Sequence, residues 1–181
     1  PTRLRETLFN WLMHDIQDSY CIDLFAGSGI LGFEAISRGA KTVLAYDTNS
    51  QNIKNITQNC KNLDISLDIY ITQNQDCLSL FNNSNNKLNE ILNNYKTIII
   101  FCDPPFNTDL LIKCCEILAN IKNKTLDISA HNIFLYIEHP VKLNNNQKNA
   151  LNKLSSSFSL VKQSKCADVQ GLLFTQQTQI L

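Results

Sequence analysis

Cys21-Ile22-Asp23-Leu24-Phe25-Ala26-Gly27-Ser28-Gly29-Ile30-Leu31-Gly32 is the stretch that decides the fold. Its first five residues predict a strand, and Gly27, Gly29 and Gly32 space out as G-x-G-x-x-G. A helix follows to Arg38, where Gly39 supplies a C-terminal stop. Thr42 to Tyr46 predicts the next strand, and Asp47 stands at its end, 20 residues beyond Gly27. Strand, glycine turn, helix, strand and acid in that order describe a βαβ unit that receives an adenosine ribose. Glycine permits the tight turn and the close approach of backbone to ligand. The carboxylate accepts ribose hydroxyls, each charge-assisted bond contributing roughly 1.5–3 kcal/mol.

The glycines alone leave the ligand open between a dinucleotide and S-adenosylmethionine, since both present that ribose. Asp23 tilts the choice. A carboxylate inside the turn repels a pyrophosphate but suits the ammonium of a methionine tail. Phe25, Ala26, Gly27, Ser28 and Gly29 are thus candidate cofactor-binding residues together with Asp23 and Asp47. Asp76 and Cys77, after a third strand near Leu67 to Thr72, join them, with Asp76 placed to receive an adenine amino group or simply to cap a helix.

The alternation of strand and helix continues outward. Leu4, Leu8, Phe9, Leu12 and Met13 share one face of a predicted amphipathic helix over residues 3–16, with Thr2 as its N-cap. A polar helix is expected from about Ser50 to Lys61, and an Asn-rich helix or loop around Asn82, Asn83, Asn85 and Asn86. Thr97 to Cys102 is a near-continuous apolar run, as a central parallel strand requires when helices cover both its faces. Leu110 to Ile121 and Asn146 to Leu154 read as helices, Ile133 to Glu138 as a fifth strand, and Phe158 to Val161 with Leu172 to Thr175 as a terminal strand pair. This is a doubly wound α/β pattern, expected to form one domain over residues 1–181.

Composition narrows the class. Sixteen basic residues balance sixteen acidic ones, so no global field draws the protein onto a polyanion. The longest apolar runs fall well short of the roughly 20 residues that cross a bilayer, and a soluble protein is expected. The chain opens on Pro-Thr-Arg-Leu-Arg rather than Met, which reads as a missing native start. Seven scattered Cys with no C-x-x-C pair favour reduced thiols in the cytoplasm over a disulfide framework, and no metal site is expected. Cys102 is expected to serve strand packing.

Asp103-Pro104-Pro105-Phe106 follows the apolar strand, at the edge where open α/β sheets place ligands. Two prolines fix φ and remove two backbone donors, leaving stiffly aimed carbonyl acceptors. Asp103 and the Pro104 carbonyl can each take one hydrogen of a planar exocyclic amine and turn its lone pair toward a sulfonium methyl. Such chemistry needs orientation rather than a metal. A carboxylate at 103 also stabilises the positive charge that grows on nitrogen, and Phe106 can stack on an extruded base at roughly 1–3 kcal/mol. Asp103, Pro104, Pro105 and Phe106 are the candidate catalytic residues.

The chain resembles the bacterial 16S ribosomal RNA guanine-N2 methyltransferases that act on the small ribosomal subunit. The likeness lies in Arg3 to Leu12, in Asp23 to Gly32 with Ser37-Arg38-Gly39-Ala40, in the Asp-Pro-Pro-Phe motif and in Tyr136-Ile137-Glu138. It implies a Rossmann-like class I S-adenosylmethionine-dependent methyltransferase fold, with a mostly parallel seven-stranded sheet. It also implies methyl transfer to the N2 amine of a guanine in 16S ribosomal RNA, within a small subunit or assembly intermediate, by a cytoplasmic monomer. Three departures stand out: two residues fewer between Pro-Thr and the first Arg, Asp47 and Asn49 where the family commonly has Glu and Asp, and Ala167-Asp168-Val169-Gln170 where a glycine-containing turn is usual. Arg3 and Arg5, extended by Lys162 and Lys165, are candidate RNA-binding residues. His139 is expected to be a spectator, and His14 and His131 carry no signal. Three other readings remain: an adenine-N6 or cytosine-N4 amino-methyltransferase of DNA or other RNA, a nucleotide-linked oxidoreductase, and a non-catalytic cofactor-binding module.

Overall fold

The computed structural model describes residues 1–82, 86–121 and 131–176. Its elements run α1 (Thr2–Trp11), β1 (Tyr20–Asp23), α2 (Ile30–Ser37), β2 (Thr42–Tyr46), α3 (Ser50–Asn62), β3 (Tyr70–Gln73), a 3-10 turn (Cys77–Phe81), α4 (Lys87–Asn94), β4 (Thr97–Cys102), α5 (Leu110–Ala119), β5 (Asn132–Pro140), α6 (Asn145–Leu154), β6 (Phe158–Cys166) and β7 (Val169–Gln176). The seven strands form one sheet in the order β3-β2-β1-β4-β5-β7-β6. β1 to β5 are parallel, and β7 joins antiparallel between β5 and β6. The expected Rossmann-like class I methyltransferase architecture is therefore what the chain adopts.

Strand alternation sorts the apolar side chains into two layers. Cys21, Val43, Ala45, Ile99, Phe101 and Tyr136 pack with α1 to α3, through Leu8, Phe9, Leu31, Ala35 and Ile56. Ile22, Leu44, Ile98, Ile100, Leu135 and Ile137 pack with α4 to α6, through Ile91, Leu111, Leu118, Ala150 and Leu154. Cys102 belongs to this second layer and is fully buried. The same period of two sets the site. Asp23 continues the Cys21 face of β1, Asp103 the Ile99–Phe101 face of β4, and Glu138 the Tyr136 face of β5, so three acids gather at the carboxyl ends of adjacent strands.

Several sequence expectations shift. α1 begins at Thr2 with Pro1 as N-cap and no side-chain cap, so Thr2 is not the capping residue. It also stops at Trp11 instead of residue 16, and the chain turns back through bonds from Asp15 and Ile16 to Leu12. Met13, counted on its apolar face, lies beyond the helix and is 60% exposed. β1 ends at Asp23, not Phe25, because the glycine turn lifts the chain out of the sheet. β3 occupies Tyr70–Gln73, later than Leu67–Thr72, while β6 and β7 extend further than predicted. Of the Asn-rich segment, Asn82 closes the 3-10 turn and Asn86 is the N-cap of α4, while Asn83 and Asn85 lie outside the described residues. Asn49 is the N-cap of α3, accepting from the Gln51 amide. At the β6–β7 turn Ala167 holds φ 52°, the left-handed conformation that a glycine adopts more readily.

Tyr70 stands under the glycine turn and ties it to β3. Its hydroxyl donates to the Gly29 carbonyl at 2.9 Å, and a Cβ added at Gly32 would come within 2.3 Å of that oxygen. Gly32→Ala should therefore destabilise the fold by about 1–3 kcal/mol through overpacking. Urea denaturation read by circular dichroism checks this, and an unchanged midpoint would contradict it.

Candidate functional site

A cavity of about 600 Å³ opens at the carboxyl ends of β1, β2, β3 and β4. The first of those strands contributes Phe25 and Gly27, the second Asp47, the third Asp76 and Cys77, and the fourth Asp103, Pro104, Pro105 and Phe106. The crevice thus brings together the glycine turn and the Pro-Pro motif, 76 residues apart from Gly27 to Asp103. Ala26 is buried beneath the turn, its amide donating to the Tyr46 carbonyl, while Ser28 is exposed on its outer side. Gly29 caps α2 at φ 78°. Gly27 has φ 53°, and a Cβ there would meet nothing within 4 Å, so its α-carbon faces open cavity.

Asp47 is already committed to the turn. Oδ2 accepts from the Gly27 amide at 2.8 Å and from Asn52 Nδ2 at 3.0 Å, and Oδ1 accepts from the Asn49 amide at 2.7 Å. A carboxylate offers about four lone-pair positions. One position, on Oδ1, is left for a ligand hydroxyl unless the Asn52 amide gives way. Asn52, Thr48 and Gln75 also line the cavity and were missed at the sequence level. Asn52 could have been found from its place in the first turn of α3, five residues after Asp47.

Asp76 is a cap that also borders the cavity. Its Oδ1 accepts from the Leu78 amide at 2.9 Å as the N-cap of the 3-10 turn, and the residue borders the cavity. Cys77 is buried against the Cys114 sulfur, and that contact, ahead of burial, pushes its thiol above the ordinary range, so it is a neutral wall.

The acids are less conventional. Asp23 is 1% exposed; Oδ1 accepts from the Phe25 amide at 3.3 Å and Oδ2 has no partner among the described residues. Burial, with smaller contributions from Asp103 and Asp47, raises it to about 7. Asp103 is raised to about 6, first by burial and then by Glu138. Glu138, not singled out at the sequence level as a site residue, is 4% exposed and accepts from the Tyr136 hydroxyl at 2.8 Å. Its signal was the i, i+2 spacing from Tyr136 at the end of a strand neighbouring β4. α1 packs on this face of the sheet, with Phe9 edge-on to Phe101 of β4 at 5.9 Å between ring centroids.

Arg3 is exposed and Arg5 half-buried on α1, and neither lines the cavity. Lys162 and Lys165 are both exposed but pair with Leu173 and Gln170, which lie on opposite faces of β7. Only Lys162 shares the α1 face of the sheet with the arginines. His139 is buried, and its Nδ1 contacts the Pro140 carbonyl at 2.8 Å, away from the cavity lining. Among the described residues no group of three or more His, Cys, Asp or Glu is arranged to hold a metal ion.

The family described as Conserved hypothetical protein 95 matches residues 1–174. The ribosomal RNA small subunit methyltransferase D of Haemophilus influenzae is 37% identical over 65% of this chain and 57% of its own length. The protein of that description from Buchnera aphidicola subsp. Baizongia pistaciae is 33% identical over 94% of this chain and 77% of its own length. This chain thus spans little more than half of the first relative. A solved Escherichia coli structure, described as a candidate methyltransferase, superposes with a TM-score of 0.73 at 28% identity, covering 98% of this chain and 87% of the other. Matched along almost its whole described length, with the glycine turn and the Pro-Pro motif facing one cavity, the chain belongs to the Conserved hypothetical protein 95 family, that of the ribosomal RNA small subunit methyltransferases D.

Proposed function

We propose that this chain transfers a methyl group from S-adenosylmethionine to the exocyclic N2 amine of a guanine in 16S ribosomal RNA, in the cytoplasm and on a small subunit or assembly intermediate. The observation that carries the reading is the position of Asp103-Pro104: on the wall of the glycine-turn cavity and, through Asp103, beside Glu138. A methyl donor in the cavity and an amine on the far side would meet across that residue pair.

The cavity suits the cofactor. Asp23 Oδ2, buried and unpartnered, is the counter-ion an ammonium would find, and Gly27 leaves the space a backbone-hugging ligand needs. Asp47 would hold a ribose hydroxyl, and Asp76 and Cys77 would border the adenine. When bound, the cofactor supplies a sulfonium methyl, an electrophile with a good leaving group. The chain's own residues orient the nucleophile: Asp103 and the Pro104 carbonyl accept the two amine hydrogens, aiming the lone pair into the cavity. Asp103 then stabilises the charge on nitrogen and takes up the proton released. Phe106, 38% exposed at the cavity mouth, is free to stack on the base. Arg3, Arg5 and Lys162 would contact phosphates.

Labelled S-adenosylmethionine incubated with unmodified small subunits, beside an Asp103→Ala control, tests the reading. Label on a guanosine at N2 is expected; label on adenosine or cytidine would replace guanine with the rival base, and none on any RNA would refute the assignment. Asp47→Ala should weaken cofactor binding roughly 10- to 100-fold by calorimetry, as expected for losing a charge-assisted bond and loosening the Gly27 turn.

A further inference from the structure

The orientation of the amine by Asp103 and Pro104 leaves Glu138 without a task. Cys102 and Ile137 are register partners, so Glu138 flanks Asp103 on the adjacent strand. Both side chains point to the α1 face of the sheet. Glu138 is 4% exposed, and only its Oε1 is engaged, by the Tyr136 hydroxyl at 2.8 Å. Oε2 is not one of the buried oxygens left unpaired, so with no bond among the described residues beyond that of Oε1 it stays open to an incoming donor.

The arrangement is held from behind. Gly171 is the register partner of Glu138 on β7, and a Cβ there would lie 2.6 Å from the Tyr136 hydroxyl oxygen. A glycine at 171 therefore makes room for the tyrosine that steers Glu138. A carboxylate held by one oxygen presents the other to a donor in a fixed direction, and here it sits one strand over from Asp103.

We propose that Glu138 determines base specificity by accepting the N1–H of guanine. This rests on the reading above. On the Watson–Crick edge of guanine, the N1–H lies next to the N2 amine. When Asp103 and Pro104 hold that amine, N1–H faces the next acceptor along. Adenine presents a lone pair at N1, which a carboxylate repels. Sites built to pair a polar group discriminate strongly against a base that leaves it unpaired. The Tyr136 hydroxyl gives the idea a directional consequence: in Glu138→Gln it would pin the amide oxygen and turn the NH2 toward the base. The variant would then offer a donor where the native site offers an acceptor.

The test uses small subunits reconstituted with RNA in which the nucleotide mapped above is either guanosine or 2-aminopurine, introduced by ligation. 2-Aminopurine keeps the 2-amino group but carries a lone pair at N1. The native protein should methylate guanosine at least roughly tenfold faster than 2-aminopurine, and Glu138→Gln should narrow or reverse that ratio. Equal native rates on the two bases overturn the proposal even if the variant does not fold. So does a Glu138→Gln protein of native circular dichroism that keeps the native ratio. Failure of the native protein to methylate guanosine at all refutes the underlying reading, and the proposal with it.

Discussion

Asp103→Ala is expected to lower the turnover of methyl transfer by roughly 10²–10³-fold while cofactor affinity changes little. The magnitude follows from removing one preorganised electrostatic partner of the transition state. In the proposed reaction Asp103 would touch the amine, not the bulk of the cofactor, so the loss should appear in kcat and not in KM for S-adenosylmethionine. Asp103→Asn separates the two roles of the carboxylate. It keeps an acceptor but not the charge, and an intermediate rate is expected. Full activity in Asn with none in Ala would exclude charge stabilisation and leave hydrogen bonding alone.

The same residue sets an acid limb. Asp103 is raised to about 6 by burial and by Glu138, with Asp23 also close. Only the ionised form accepts both the hydrogen bond and the proton, so activity should rise with pH through about 6 and level off above about 7. Glu138→Gln removes a neighbouring negative charge and should move that limb to lower pH. A limb that stays in place would show that burial alone sets it.

The second large effect is on stability. Asp23 is about 7 in the folded protein against 3.8 as the ordinary value. The folded state therefore holds this proton more tightly than the unfolded chain. Its contribution is fully present below about pH 4 and is lost as pH rises through about 7, on the order of 4 kcal/mol across the window. In Asp23→Asn that loss disappears. At about pH 8 the ligand-free variant should melt several degrees above the native protein, even allowing for a buried amide donor worth about 1–3 kcal/mol. Its cofactor affinity should fall, because the ammonium loses its counter-ion. Thermal scans of both proteins between about pH 5 and 8 decide the matter; parallel curves would show that Asp23 keeps its charge in the fold without cost. Native protein saturated with S-adenosylmethionine should regain stability at the alkaline end, since a bound ammonium supplies what Oδ2 lacks.

The order of strands and helices, the glycine turn, Asp47 at the end of the second strand and the Pro-Pro motif at the end of the fourth are all legible along the chain. Each is a local signal: β-branched runs such as Thr97–Cys102, left-handed positions at Gly27 and Gly29, and φ-locked prolines need no knowledge of distant neighbours. Boundaries were less legible. α1 reads as apolar at Met13, yet the chain turns at Leu12 because Ile16 must fold back into the core, where it is 2% exposed.

Which side chains meet across strands emerges only from the packed sheet. Asp23, Asp103 and Glu138 stand 80 and 35 residues apart in the chain, and nothing local announces that parallel pairing of β1, β4 and β5 sets them on one face. Their raised affinity for protons comes from shared burial and mutual repulsion, properties of a place and not of a motif. Asp47, read as open to a ribose, spends three of its acceptor positions on Gly27, Asn49 and Asn52. Lys162 and Lys165, close in sequence, are separated by the pleat. The Asp-Pro-Pro-Phe motif is legible in the chain; that Glu138 stands beside it is set by the pairing of β4 with β5 alone.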